Sequence, residues 1–169
     1  MREVGSRGFQ TGASLIEFAL VLPVFLLLVI GVLYASIAFV THQAVAHAAQ
    51  RGADAAISAD PNAPSYATLA VVRASLRVAE ALSFLPGEPP EIELRQECDT
   101  PVDGAGNAPP ASYFCVIDSG AAGGRMVSLS LAPAFSSLWP QFPRVALAPL
   151  PAYVRATGAA VVPRSDDGR

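Results

Sequence analysis

The sequence contains no lysine. All 11 basic residues are arginine, set against 14 acids, and the formal net charge is −3. The arginines are spread thinly along the chain, so there is no electrostatic footprint for nucleic acid. A biased genome composition accounts for the missing lysine without a functional role. Cysteine and histidine are also scarce, with two of each. Cys98 and Cys115 fit no compact metal motif, and no histidine lies near them in sequence. His42 and His47 stand five apart and share a helical face poorly. The chain shows no Ser-His-Asp pattern, no glycine-rich phosphate loop and no paired acids in apolar surroundings. Glu91 and Glu93 share one face of an expected edge strand, where solvation is the ordinary state. No catalytic residue, metal or cofactor is therefore expected, and the protein is not read as an enzyme.

What the chain does have is one long uncharged run. No residue from Phe18 to Val40 is charged. A helix over that run reaches about 34 Å, enough to cross a hydrocarbon layer of about 30 Å with some tilt. The run is longer than the apolar region of a signal peptide, which spans about 7–15 residues. The small residues at Ala35-Ser36-Ile37-Ala38 and Ala46-His47-Ala48 keep conventional signal removal open as an alternative, beside a plain uncleaved anchor. Arg2 and Arg7 precede the run, and only Arg51 follows closely. The positive-inside bias then places the N-terminus in the cytoplasm and the C-terminal part beyond the membrane.

The front of the run carries its own chemistry. Gly12 lacks a side chain, so an extended substrate can lie close to a protease backbone there. Glu17 is a lone acid just inside the apolar run. An acid at the centre of a membrane helix costs about 2.5–3.5 kcal/mol, and less near an edge. A cut before Ala13 would create an amine four residues from Glu17, which that amine, on the same or a neighbouring chain, would neutralise. Snorkelling to the interface is the bland alternative. Pro23 removes one helical hydrogen bond and is expected to kink the helix near Ala19.

The segment Gly12-Ala13-Ser14-Leu15-Ile16-Glu17-Phe18 resembles the processing site of type IV pilin-like proteins. Its aromatic after the acid, with Leu-Val-Leu-Pro at Leu20 to Pro23, is similar to the TadE-like minor pseudopilins of Tad (Flp) pilus systems. The Ala-rich segment around Gln50-Arg51-Gly52-Ala53 adds to the likeness. The resemblance implies a prepilin peptidase cutting between Gly12 and Ala13, with Glu17 then the fifth residue of the mature chain. It also implies a single-pass protein of a bacterial inner membrane. Its partners would be that peptidase, other pilins and pseudopilins, and the membrane assembly platform, in a pilus serving adhesion and surface attachment. An uncleaved bitopic envelope protein, whose exposed domain binds a partner, is the alternative.

The layout that follows has three parts: a hydrophilic leader over 1–12, a transmembrane and extended helix over 13–58, and an α+β domain outside the cytoplasm over 59–169. The long helix is expected from about Ser14 to Ser58, stopped by Asp60-Pro61. Small residues at Gly31 and Ala35, and at Ala44, Ala48 and Gly52, recur at a spacing that lets two helices approach closely. A second helix is expected from Tyr66 to Leu85, with Leu69, Val72, Leu76, Ala79 and Leu82 on its packed face and Arg73, Arg77 and Glu80 opposite. Strands are expected at 91–97, 113–117, 127–131 and, more weakly, 153–162, forming a short antiparallel sheet. Residues 99–110 read as a loop. The five-proline segment 132–151, with the single Trp139, reads as a long loop with local packing. The tail from Pro163 reads as frayed. Outside the cytoplasm, Cys98 and Cys115 read as a disulfide, worth about 3 kcal/mol in the chain-entropy model, with two buried thiols as the alternative.

Overall fold

A computed structural model describes residues 10–96, 98, 111–118, 125–141 and 151–162. The expected loop over 99–110, all but two residues of the leader's first eleven, and the tail from Pro163 lie outside them. The chain forms two units, divided between Ile37 and Ala38.

One helix, α1 (Gln10–Ile57), begins in the first unit and runs into the second, with Pro23 inside it. In the first unit most of its described side chains are aliphatic or aromatic and solvent-exposed: Leu15, Ile16 and Leu20 are 68%, 70% and 72% exposed. Such a surface is stable only in an apolar medium or against other apolar surfaces. The end of α1 is built from short local bonds. Ser58 N–H and Ala59 N–H donate to Ala55 O and Ala56 O at 3.2 Å each, a tightened last turn. The Arg73 guanidinium donates to Ser58 O, covering one of the carbonyls left orphaned at the helix end. Asn62 N–H then donates to Asp60 Oδ1 at 2.9 Å, an Asx turn that redirects the chain at Pro61.

The second unit holds the sheet and the remaining helices. Helix α2 (Tyr66–Leu82) follows the turn. Strands β1 (Ile92–Arg95), β2 (Ser112–Asp118), β3 (Arg125–Leu131) and β4 (Ala156–Val162) form one sheet in that order. β2–β3 and β3–β4 are antiparallel, as expected, but β1 pairs with β2 in parallel, so the sheet is mixed. A parallel neighbour needs a crossover in place of a hairpin. The sixteen-odd residues between β1 and β2 are long enough to supply one, which the strand pattern alone did not reveal.

The core lies on one face of the sheet. Val127, Leu129 and Leu131 alternate inward and are fully buried, with Phe114 paired beside Leu129. Burying each of these large side chains contributes about 1.5–3 kcal/mol. The α1 residues Val45, Ala48, Ala49, Ala53 and Ala56 are fully buried as well. Gly52 sits where a Cβ would come within 2.4 Å of Leu129 Cδ2 and 2.9 Å of Val78 Cγ2, so β3 and α2 both press on α1 there. The Ala48 and Gly52 spacing thus serves close packing within this unit. At Gly158 of β4 a Cβ would lie 2.2 Å from Ala49 O, so strand and helix meet backbone to backbone.

The expected face of α2 is corrected. Its buried residues are Tyr66, Ala70, Ala74, Val78 and Leu82. Leu69, Val72 and Leu76 instead point away from the core and are 44%, 51% and 66% exposed. Of the small inward residues, Ala74 lies beside α1, its carbonyl oxygen 3.5 Å from where a Cβ on Gly52 would stand. The helix also ends at Leu82 rather than Leu85. The proline-rich segment contains a one-turn helix, α3 (Phe135–Leu138), with Phe135 and Leu138 buried. Its base is stitched by Phe135 N–H to Ala152 O and Val154 N–H to Pro133 O, both 3.0 Å.

Candidate functional site

The sequence points to residues of two kinds, and they belong to different units. Gly12, Ala13 and Glu17 lie at the beginning of α1, in the first unit. Cys98 and Cys115 lie in the second.

Gly12 and Ala13 stand in the first turn of α1, and Glu17 one turn further on. A separation of four residues is an axial rise of about 6 Å and returns to the same helix face. Glu17 is exposed, and so are its neighbours Leu15, Ile16, Phe18 and Leu20. A carboxylate thus stands alone among apolar side chains, with no ion pair in its own chain among the described residues. From Ser14 onward α1 is long and apolar enough to cross a membrane, and none of its most apolar stretch is buried by the rest of the protein. It is the one helix among the described residues to meet that test, which makes the chain a candidate single-pass membrane protein.

Cys98 and Cys115 form a disulfide with Cα atoms 5.5 Å apart. Cys115 is fully buried in β2, and its register partner on β1 is Arg95, three residues before Cys98. The bridge therefore fastens the four-residue edge strand β1 to the strand beside it. Arg95 also lies over the Tyr113 ring, 4.9 Å from its centroid. Glu93 is exposed on the same edge strand.

His42 and His47 are both exposed on α1 and converge on nothing. Among the described residues no three His, Cys, Asp or Glu side chains gather as a metal ion would require.

Two arrangements escaped the sequence reading. The indole of Trp139 reaches Thr41 on α1, whose side chain is fully buried. Arg125 donates to Pro61 O at 2.6 Å and lies 5.4 Å from the centroid of the Tyr66 ring. The Tyr66 hydroxyl is buried without a hydrogen-bond partner. Burial pushes the Tyr66 phenol above its ordinary pKa, while the Arg125 charge works the other way. Both contacts join residues far apart in sequence. The one advance signal was the isolated tryptophan in an otherwise proline-rich stretch.

Comparison with known protein families matches residues 12–54 to the family described as TadE-like protein. The match spans the glycine, the acid, the apolar run and the Ala-rich segment of α1, and stops before α2 and the sheet. No curated protein and no solved structure matches the chain.

Proposed function

We propose that this chain, TadE-like over its apolar N-terminal segment, is a minor pseudopilin of a Tad-type pilus. A prepilin peptidase removes residues 1–12, and the mature chain starts at Ala13. Helix α1 holds it in the inner membrane with the N-terminus on the cytoplasmic side, and the α+β domain lies beyond the membrane. There the protein takes part in assembling the pilus together with other pilin-like subunits and the membrane assembly platform.

The observation that supports this reading best is the family match beginning at Gly12, on a helix whose single early acid lies among exposed apolar residues. The disulfide supports the exported domain, since such bridges persist in oxidising compartments. In this reading the new amine at Ala13 retains charge at neutral pH. Pairing it with Glu17 of an adjacent subunit removes two isolated charges from the membrane edge and sets the axial register between helices. Pro23 gives α1 a place to bend within the membrane.

N-terminal sequencing of the protein from cells that carry the matching peptidase tests the reading. Ala13 is the expected first residue, and Gly12→Val should leave the precursor uncut. A chain that begins at Met1, or after Ala38, would overturn it in favour of an uncleaved bitopic protein or a signal-cleaved one.

A further inference from the structure

The outward face of α2 carries a row of large apolar side chains that the described part of the second unit leaves uncovered. Leu69, Val72 and Leu76 recur at three and four residues, on the side of the helix opposite the buried Ala70, Ala74 and Val78. Phe84, just past the C-cap, is 63% exposed. Arg73, Arg77 and Glu80 flank the stripe along one side. Arg77 and Glu80 pair at 2.6 Å and are both well exposed. A shallow depression of about 460 Å³ borders the same side, lined by Ala55, Ser58, Arg73, Leu76, Arg77 and Glu80. Large aliphatic side chains turned out to solvent while alanines fill the core are the mark of a surface that meets another protein.

We propose that this face pairs, antiparallel, with the same face of a second copy of the chain. The order of residues along the stripe carries the argument. A two-fold axis near Leu76 and Arg77 sets Leu76 against Leu76 of the second copy. Seven or eight residues to either side, Leu69 meets Phe84 of the second copy, and Phe84 meets its Leu69. In the same register Arg73 faces Glu80 of the second copy, and Glu80 faces its Arg73, which is the reciprocity a two-fold interface requires. The bonds from Arg73 Nη1 to Ser58 leave further guanidinium donors for a carboxylate. The arginines nearest the axis are each already paired with their own Glu80. A lipid surface fits this face less well, because the exposed Glu80, paired with Arg77 on the same flank, would meet the same anionic headgroups.

The seam spans only a few turns, well short of the roughly 800 Å² per partner of a standard interface. It is therefore weak between freely diffusing molecules. Copies held by their apolar α1 helices in one membrane face each other at a far higher effective concentration, which makes a weak seam sufficient. The inference stands on the α2 face and on membrane anchoring, and holds whether or not the leader is cut.

Cysteine cross-linking of the full-length protein in its membranes tests it. The native cysteines are bridged to each other, so Leu76→Cys adds a single free thiol at the proposed axis. Mild oxidation should give a disulfide-linked dimer of the chain, at least tenfold more than Ala159→Cys, an exposed position on β4. Glu80→Arg leaves the Arg73 bonds to Ser58 in place, and added to Leu76→Cys it should cut the dimer about tenfold. Further addition of Arg73→Glu should restore it. A Leu76→Cys yield no higher than that of Ala159→Cys, cross-linking to a different protein, protection of the thiol by lipid without a dimer, or failure of the charge exchange to restore the dimer would each overturn the proposal.

Discussion

The indole Nε1 of Trp139 donates to the hydroxyl of Thr41 at 3.0 Å. This bond fastens the end of α3 to the buried side of α1 across most of the second unit's sequence. Thr41→Val keeps the shape and removes the acceptor, and should cost about 1 kcal/mol. Trp139 is the single tryptophan, so its emission should shift to the red in the variant while far-UV circular dichroism stays unchanged. Unchanged emission would show that the bond does not set the environment of the indole.

Gly52 is the tightest point between α1, α2 and β3. Gly52→Ala should destabilise the protein by about 1–3 kcal/mol, because Leu129 and Val78 must both give way. Gly52→Leu should prevent folding of the second unit. Denaturant midpoints in detergent solution would check the first, and protease resistance the second.

Cys98 and Cys115 should be recovered as one cross-linked peptide pair when thiols are blocked during isolation. Replacing both with serine should cost about 3 kcal/mol by the chain-entropy estimate. The loss should concentrate at β1, so hydrogen exchange should rise first at Ile92–Arg95. Recovery of both cysteines alkylated without reduction would contradict the bridge.

Tyr66 predicts an alkaline limit to stability. Its phenol holds its proton more tightly folded than unfolded, mainly through burial. The folded state then binds more protons than the unfolded state as the pH climbs past the ordinary tyrosine value near 10. Stability from this group is whole below that pH and is lost as the pH rises through the higher folded value. Tyr66→Phe should remove the alkaline slope. It should also raise stability at neutral pH by about 1 kcal/mol, since an unpartnered buried hydroxyl disappears. Denaturant titrations at neutral and alkaline pH would measure both effects.

On the proposed function, Glu17 should separate cutting from assembly. If peptidase recognition rests on Gly12 and the leader, Glu17→Gln should still be processed. It should fail to co-purify with other pilus subunits, and Glu17→Asp, with the charge on a shorter arm, should be intermediate. Normal pili and normal co-purification with Glu17→Gln would refute charge pairing and leave the cleavage assignment standing.

The parts of the fold legible in the sequence were those written locally. The absence of charge from Phe18 to Val40 gave α1, and Asp60-Pro61 gave its end. The alternation of Val127, Leu129 and Leu131 with serines gave β3 and its inward face. On α2 only Leu82 of the expected face is buried, because hydrophobicity alone does not measure burial. Where backbones approach closely the inward positions go to alanine, and the leucines are left outside. The parallel pairing of β1 was hidden for a different reason: a strand pattern fixes which residues share a face but says nothing of the direction of the neighbour. The bonds from Trp139 to Thr41 and from Arg125 to Pro61 depend on side chains brought together only by the finished fold. At the start of α1, glycine, acid and apolar run lie within one short stretch, so that segment needed no tertiary information to be found.

The contact of Gly158 with Ala49 has a consequence for how the protein is made. A chain synthesised from its N-terminus exposes the alanine face of α1 long before β4 exists. The strand that closes over Ala49 is the last element of the sheet in sequence. Native contacts of such long sequence separation form slowly, because a large loop must close before any reward is gained. Until then the alanine face and the inner side of β3 stay open to other chains, and unpaired strands of this kind aggregate readily. A chain broken off before Ala156 would therefore lack the cover for its own central helix.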